Sequence, residues 1–439
     1  MSRRIIVAGA GHGGIATAAF LAEKGYDVTV YEKCSEGNLG YDWTDIFAPK
    51  SIGVAGMKMP TMDLYEYKKN MTFYGPSETT GIMQDVPEDE LEIKMERRDI
   101  YNMLVNRAVT AGVKFEYNTT ITGPIMAGNR VIGISTDKGD FFGDLVIDAC
   151  GCNSPVRTNL PEKCGIEKQP RMYEKFYVYR AFYNKVCECK PGDEYKICLL
   201  PEGKLGIGWV ATEEEYTDVL FGRFSPFDAE EAERTLSVYR EKNPSLGTEL
   251  KRGGQFVEIP VRQPLSVLVC DGYAAIGDSA FMTVPIIGSG IANSFKASKI
   301  LADAIFADKE DCFSVNTLWR YQVNYFKKIG TGLAPLACLK LLLTQITPEQ
   351  LDFVFDNGIF TRQDLTITAE STSIFKFMHF STDMPKRLKS ATKDSDLCKK
   401  AVIAASKATG AFAHCSALPP VYSPAVVRKW AKAYDKFFI

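Results

Sequence analysis

The sequence predicts an α/β protein with a discontinuous parallel-sheet domain, an inserted α+β domain and a mostly helical C-terminal segment. Three observations carry that prediction. Residues Arg4 to Lys33 (RIIVAGAGHGGIATAAFLAEKGYDVTVYEK) read as strand, glycine-rich turn, helix, strand and terminal acid. Residues Asp271 to Ile305 (DGYAAIGDSAFMTVPIIGSGIANSFKASKILADAI) repeat a strand–turn–helix pattern far downstream. Between and beyond them the texture changes, first to alternating aromatic and β-branched residues and then to helical periodicity.

Ile5 to Ala8 form a short apolar strand. Gly9, Gly11 and Gly14 follow in G-x-G-x-x-G spacing, with Gly13 beside them. The first makes a tight turn, the second lets a pyrophosphate approach the backbone, and the third lets helix and strand pack closely. A helix from about Gly13 to Lys24 aims free N–H groups at the phosphates. Gly25 stands where a left-handed C-cap is expected. Asp27 to Tyr31 form the second strand, and Glu32, followed by Lys33, ends it where an acid hydrogen-bonds a ribose hydroxyl. This is a Rossmann-like unit, and its acid favours an unphosphorylated ribose: FAD or NAD rather than NADP. The alternative is a glycine-rich turn that binds no ligand.

In the second motif Tyr273 to Ile276 form a strand, Gly277-Asp278 follow, and Pro285-x-x-Gly288-x-Gly290-Ile291 opens a long helix. Asp278 can hold a ribitol hydroxyl, and the helix N-terminus near Ser289 points toward a flavin pyrimidine edge. This segment resembles the second FAD motif of flavoproteins related to p-hydroxybenzoate hydroxylase and geranylgeranyl reductase, so FAD is the expected cofactor.

Further residues carry the same resemblance. Glu96-Arg97-Arg98-Asp99-Ile100 with Leu104 and Ala108 is similar to a family helix whose Arg lies near the cofactor phosphates; the spacing selects Arg97, with Arg98 second. Asp144 to Arg157 (DLVIDACGCNSPVR) resembles a family segment in which Cys150 replaces an Asp that monooxygenases use with NADPH and flavin. Leu200 to Trp209 (LPEGKLGIGW) and Gly253 to Pro264 (GGQFVEIPVRQP) resemble substrate-domain stretches of geranylgeranyl reductases. The resemblance covers roughly residues 1–310.

The 439 residues carry a net charge of −2, so no electrostatic footprint for nucleic acid is present. Met1-Ser-Arg-Arg leads directly into the first strand, and no apolar run reaches bilayer length, so a cytoplasmic location is expected. Gly330 to Thr344 comes closest but is short and contains Lys340. The 12 cysteines lack a secretory context and read as free thiols. Cys150-x-Cys152 and Cys187-x-Cys189 do not match metal spacings, so no metal is expected.

The two FAD motifs lie far apart, which divides the FAD-binding domain into residues 1–70, 95–165 and 263–310. Val113 to Tyr117 and Val131 to Ser135 read as antiparallel additions to its sheet, with Gly128-Asn129 as a turn. Residues 71–94 and 166–262 form the substrate domain, with strands at Tyr177 to Tyr183 and Leu205 to Val210 and an amphipathic helix at Asp228 to Asn243. Residues 311–439 are mostly helical; Thr347-Pro348-Glu349 reads as an N-cap with Pro at N1. The tail places Trp430, Tyr434, Phe437 and Phe438 near one helical face ringed by lysines. Two readings stay open for it, peripheral membrane contact and the preferred one, docking on the protein body.

The resemblance implies a reductase or dehydrogenase that saturates carbon–carbon double bonds of an apolar, isoprenoid- or enone-like small molecule by hydride transfer through flavin N5. The electron donor is left as NAD(P)H or ferredoxin, and the oligomeric state is open. Tyr41-Asp42-Trp43-Thr44-Asp45 follows the ribose-binding strand, where family loops approach the flavin. Tyr41 and Asp45 are candidate proton donors, and Trp43 and Trp209 candidate substrate walls; a capped turn with a packed Trp is the alternative. Two further readings compete: an NAD(P)H- and O2-dependent monooxygenase, opposed by Cys150 and Phe281, and a non-catalytic lipid- or protein-binding scaffold.

Overall fold

The computed structural model describes residues 3–171, 173–365 and 384–439. Its central sheet has six strands in the order Val269–Cys270, Tyr273–Ala275, Leu145–Asp148, Arg4–Ala8, Asp27–Tyr31 and Lys114–Glu116. All neighbours run parallel except the first pair. The strand Arg4–Ala8 is buried along its length after Arg4, as a parallel strand covered on both faces requires. The helix His12–Ala22 packs between Arg97–Thr110 and Ile291–Phe306, so both nucleotide-type motifs meet on one side of this sheet.

Two expectations change here. Lys114–Glu116 joins the central sheet, but parallel to Asp27–Tyr31 rather than antiparallel. Arg130–Thr136 pairs instead with Ile121–Ala127 and Gly139–Phe142 in a separate three-stranded sheet, turning at Gly128-Asn129. A hairpin satisfies its neighbour's backbone groups locally, so it has no need of the central sheet's edge.

The second large sheet orders Leu246–Pro260, Lys175–Lys185, Tyr216–Arg223, Gly206–Thr212, Tyr195–Leu199, Thr72–Tyr74 and Gly81–Met83. Only the Tyr195–Leu199/Thr72–Tyr74 junction is parallel, so the sheet is mixed. Helix Ala229–Lys242 starts where Asp228 Oδ1 accepts from Glu231 N at 2.9 Å and carries basic residues in its last turn. It buries Leu236 and Tyr239 against Tyr179, Val219 and Phe221 of the sheet. A small sheet of Thr44–Phe47, Ile93–Glu96 and Tyr65–Tyr67 connects the two regions.

Helices dominate the remainder: Val315–Tyr325, Thr331–Leu343, Pro348–Asp356, Met384–Ala391, Ser395–Ser416 and Pro424–Asp435. Residues 366–383 of the segment expected to be mostly helical lie outside the described residues. Thr347 and Gln350 form a reciprocal capping box at the start of Pro348–Asp356. The tail's aromatic face docks on the body: Trp430 Nε1 donates to His414 O at 3.0 Å, and Tyr434 Oη donates to Pro264 O at 3.1 Å. Trp430, Tyr434 and Phe438 are buried, so the interfacial reading of that face does not hold. Among the described residues, no single helix is long and apolar enough to cross a membrane.

Candidate active site

The glycine-rich turn is shaped by its neighbour across the sheet. Gly9 adopts φ +84°, and a Cβ there would lie 2.8 Å from the Ala149 carbonyl oxygen. A Cβ on Gly14 would lie 2.6 Å from Ala149 Cβ. Neither position tolerates a side chain, so the helix His12–Ala22 begins hard against the strand ends. Gly11 caps that helix without a side-chain hydrogen bond, which leaves its first N–H groups for a ligand. Glu32 is already oriented: Oε2 accepts from Ala10 N at 2.8 Å and Oε1 from Cys34 N at 2.9 Å.

Ala10, Gly11, Gly13, Glu32 and Lys33 border a cleft of about 290 Å³, with Gly9 and Gly14 in the turn that supports it. Its opposite side comes from the second motif: Gly277, Asp278, Gly288, Ser289, Gly290 and Ile291. Asp278 stands on the turn Gly277–Ala280, and burial pushes its carboxyl up to about 6 while Arg97 opposes the shift. Helix Ile291–Phe306 begins at Gly290 without a side-chain cap or an acid in its first turn. A preordered ribose-type acid, two uncapped helix N-termini and a carboxyl raised by burial fit the ribose, pyrophosphate and ribitol of FAD.

Between the motifs lies a compact aromatic and ionic wall. Arg97 Nε donates to Asp45 Oδ2 at 2.6 Å, and its Nη2 donates to Asp45 Oδ1 at 2.5 Å. The guanidinium lies 5.2 Å from the Tyr41 ring centroid and 4.8 Å from that of Trp43. Tyr41 borders the cleft, and partial desolvation raises its phenol pKa while Arg97 opposes. Arg98 is exposed, so the helix presents Arg97 and not Arg98 to this wall. Asp42 holds the loop to the second sheet: its N–H donates to Gln255 Oε1 at 2.8 Å and its carboxylate pairs with Arg252.

The structure adds His12 to this wall, where it stood only as an unassigned position of the glycine motif. Its ring stacks on Tyr101 with centroids 4.3 Å apart, and Nε2 is buried without a hydrogen-bond partner among the described residues. Burial, aided by Arg97, lowers its pKa to about 3, so the imidazole is neutral at pH 7. Trp209 stands apart. It lies on Gly206–Thr212, 4.7 Å from the Arg180 guanidinium, and borders neither the cleft nor the apolar cavity next to it.

That cavity, about 460 Å³, is the feature the sequence did not disclose. The loop Pro285–Ile287 forms one wall, and the same loop continues as Gly288–Gly290 along the cleft. Leu200 and Ile207 of the Leu200-to-Trp209 hairpin, Phe224, and helices Thr331–Leu343, Pro348–Asp356 and Ser395–Ser416 add further walls. Lys340 is its buried cation. The ammonium donates to Tyr173 O at 2.6 Å and Val261 O at 2.9 Å, and burial lowers its pKa to about 8.

The chain is similar to known proteins in sequence and in fold. Residues 7–50 match the NAD(P)-binding Rossmann-like domain family. The digeranylgeranylglycerophospholipid reductase of Methanothrix thermoacetophila is 26% identical over 382 residues, 79% of this chain and 89% of that protein. The fold is similar to a geranylgeranyl bacteriochlorophyll reductase-like protein of Thermoplasma acidophilum, with TM-score 0.73, 20% identity and coverage of 90% and 99% of the two chains. PqsL of Pseudomonas aeruginosa, solved with 2-aminobenzoylacetate, shares the fold at TM-score 0.59 and 18% identity, over 81% of this chain and 100% of its own. With both cofactor motifs converging on one cleft, the chain is an FAD-dependent oxidoreductase of the geranylgeranyl reductase/p-hydroxybenzoate hydroxylase-like superfamily.

Proposed function

We propose that this enzyme saturates carbon–carbon double bonds of an apolar, isoprenoid-like substrate, with residues 1–70, 95–165 and 263–310 as its FAD-binding part. The apolar cavity sharing the Pro285–Gly290 loop with the cleft carries this reading. Apart from Gln84, Lys340 and Asp364 its wall is mostly aliphatic and aromatic, which suits a hydrocarbon chain. FAD, when bound, supplies the two-electron reducing chemistry.

The chain's own residues have separable tasks in this proposal. Glu32, Lys33 and the amides of Gly11 and Gly13 hold the adenosine and pyrophosphate; Asp278 and the Gly288–Ile291 turn hold the ribityl side. Tyr41 keeps its phenolic proton at neutral pH and is the proposed proton donor. Asp45 engages Arg97 through both oxygens, so its proposed part is to position Arg97 and the Tyr41–Trp43 wall. Trp43 is the proposed substrate-side wall of the cleft. Cys150, bordering the same cleft, stands where the resemblance places a monooxygenase Asp, which favours the reductase over an oxygenase.

The deciding experiment reduces the yellow protein anaerobically and then adds oxygen and a polyprenyl alkene in separate reactions. Fast reoxidation by the alkene with slow reaction toward oxygen supports the reductase. Rapid oxygen consumption without alkene turnover replaces it with a monooxygenase, and a protein that cannot be loaded with FAD removes both.

A further inference from the structure

The helix Ser395–Ser416 separates its surfaces clearly. Leu397, Ala404, Ala408, Ala411 and Cys415 face inward and are buried. On the opposite side, Lys399, Val402, Ile403 and Ser406 follow one another at helical spacing, and all are exposed. Val402 is 67% exposed and Ile403 56%, a large aliphatic pair left in water. Val402 also borders the apolar cavity, so this pair stands at its mouth.

Lysines cluster in the stretch that carries this mouth, whose Ala391, Leu397 and Cys398 border the cavity. Lys386, Lys389, Lys393 and Lys399 are exposed, and none has an ion-pair partner among the described residues. The two acids of the stretch are occupied. Asp394 caps the helix through the N–H groups of Asp396 and Leu397, and Asp396 pairs with Lys400. The whole chain nevertheless carries a net charge of −2, so this positive face is local.

We propose that this face docks the protein on an anionic lipid bilayer, with Lys386, Lys389, Lys393 and Lys399 toward the headgroups and Val402 and Ile403 in the acyl boundary. Exposed lysines attract an anionic surface, and exposed aliphatic side chains enter it; the combination is that of an interfacial helix. An acidic protein partner would satisfy the lysines alone. It would give no reason for the exposed Val402–Ile403 pair beside the cavity. The docking delivers a bilayer-dissolved hydrocarbon to the cavity; that delivery, unlike the binding itself, rests on the function proposed above.

The test is flotation of the FAD-loaded, full-length protein with vesicles of phosphatidylcholine alone or with phosphatidylglycerol added. At least tenfold stronger binding to the anionic vesicles is expected, with loss in 0.5 M NaCl. The Lys386→Glu/Lys389→Glu/Lys393→Glu/Lys399→Glu variant should lose that preference while keeping its flavin spectrum, and Ile403→Asp should weaken binding at low salt. No vesicle binding, equal binding to both compositions, or undiminished binding of the charge-reversed variant overturns the proposal. Reduction of a detergent-dispersed prenyl alkene is measured in parallel. Turnover there without vesicle binding removes the docking and leaves the reductase; vesicle binding without turnover does the reverse.

Discussion

Asp45 offers both carboxylate oxygens to Arg97, and the side chains are only 12% and 14% exposed. The pair lies between the glycine-rich turn and the Tyr41–Trp43 wall, bordering the cleft with each of them. It links the strand Thr44–Phe47 to the start of helix Arg97–Thr110. Its removal therefore acts on stability and on the cleft together.

Asp45→Asn leaves the Arg97 charge buried without its counter-ion. Breaking one partner of a mostly buried pair costs about 3 kcal/mol. The expected outcome is a lower thermal midpoint and weaker FAD retention, read by melting and by flavin fluorescence. An unchanged midpoint would mean that Arg97 finds another partner and that the pair does not organise the wall.

Asp278 has a folded-state pKa of about 6, above the ordinary value of 3.8. The raised acid favours the fold below pH 3.8, and that contribution disappears as pH rises through 6. Above that range the flavin-free protein therefore carries a charge that burial disfavours. Asp278→Asn should stabilise the flavin-free protein at pH 7 by about 3 kcal/mol while lowering its affinity for FAD. Denaturant titration with and without FAD checks both signs; loss of stability in the flavin-free variant would contradict the assignment.

His12 is shifted the other way, from 6.5 down to about 3. A depressed folded-state pKa gives stability that is present above 6.5 and is lost as pH falls toward 3. Between pH 7 and pH 5 this group alone costs about 2 kcal/mol. His12→Phe keeps a ring against Tyr101 and should flatten that part of the acid limb relative to the parent protein. An imidazole NMR signal titrating near 6.5 would rule out the buried neutral form.

Leu343 borders the cavity from helix Thr331–Leu343. A Trp at this position fills hydrocarbon space without touching the cleft. Leu343→Trp should raise KM for a long prenyl chain at least tenfold and leave a short prenyl alkene and the flavin spectrum nearly unaffected. Equal effects on both chain lengths would place the substrate elsewhere.

The parts of the site written in contiguous residues were readable from them. Gly9, Glu32 and Asp278 belong to strand–turn–helix units whose geometry is local, and the structure places them at one cleft or in its supporting turn. His12 was hidden because a motif assigns meaning to its glycines and none to the residues between them. Trp209 shows a different limit: strand alternation gives the side on which a residue lies, but not what the tertiary fold brings against that side. The cavity had no contiguous signal at all. Phe73, Leu200, Ile287 and Phe355 reach it from separate elements, and only packing brings them together.

The loop between Thr283 and Ile291 is closed on itself, with Val284 N donating to Ser289 O and Gly288 N to Val284 O, both at 2.8 Å. Its apolar half faces one compartment and its glycine half the other. Because one short loop lines both compartments, a residue gained or lost in it would reshape the room for the hydrocarbon and the seat of the nucleotide together. Adaptation to a longer or bulkier chain must therefore come from the far walls, where the hairpin and the C-terminal helices can change while the cofactor stays where it is.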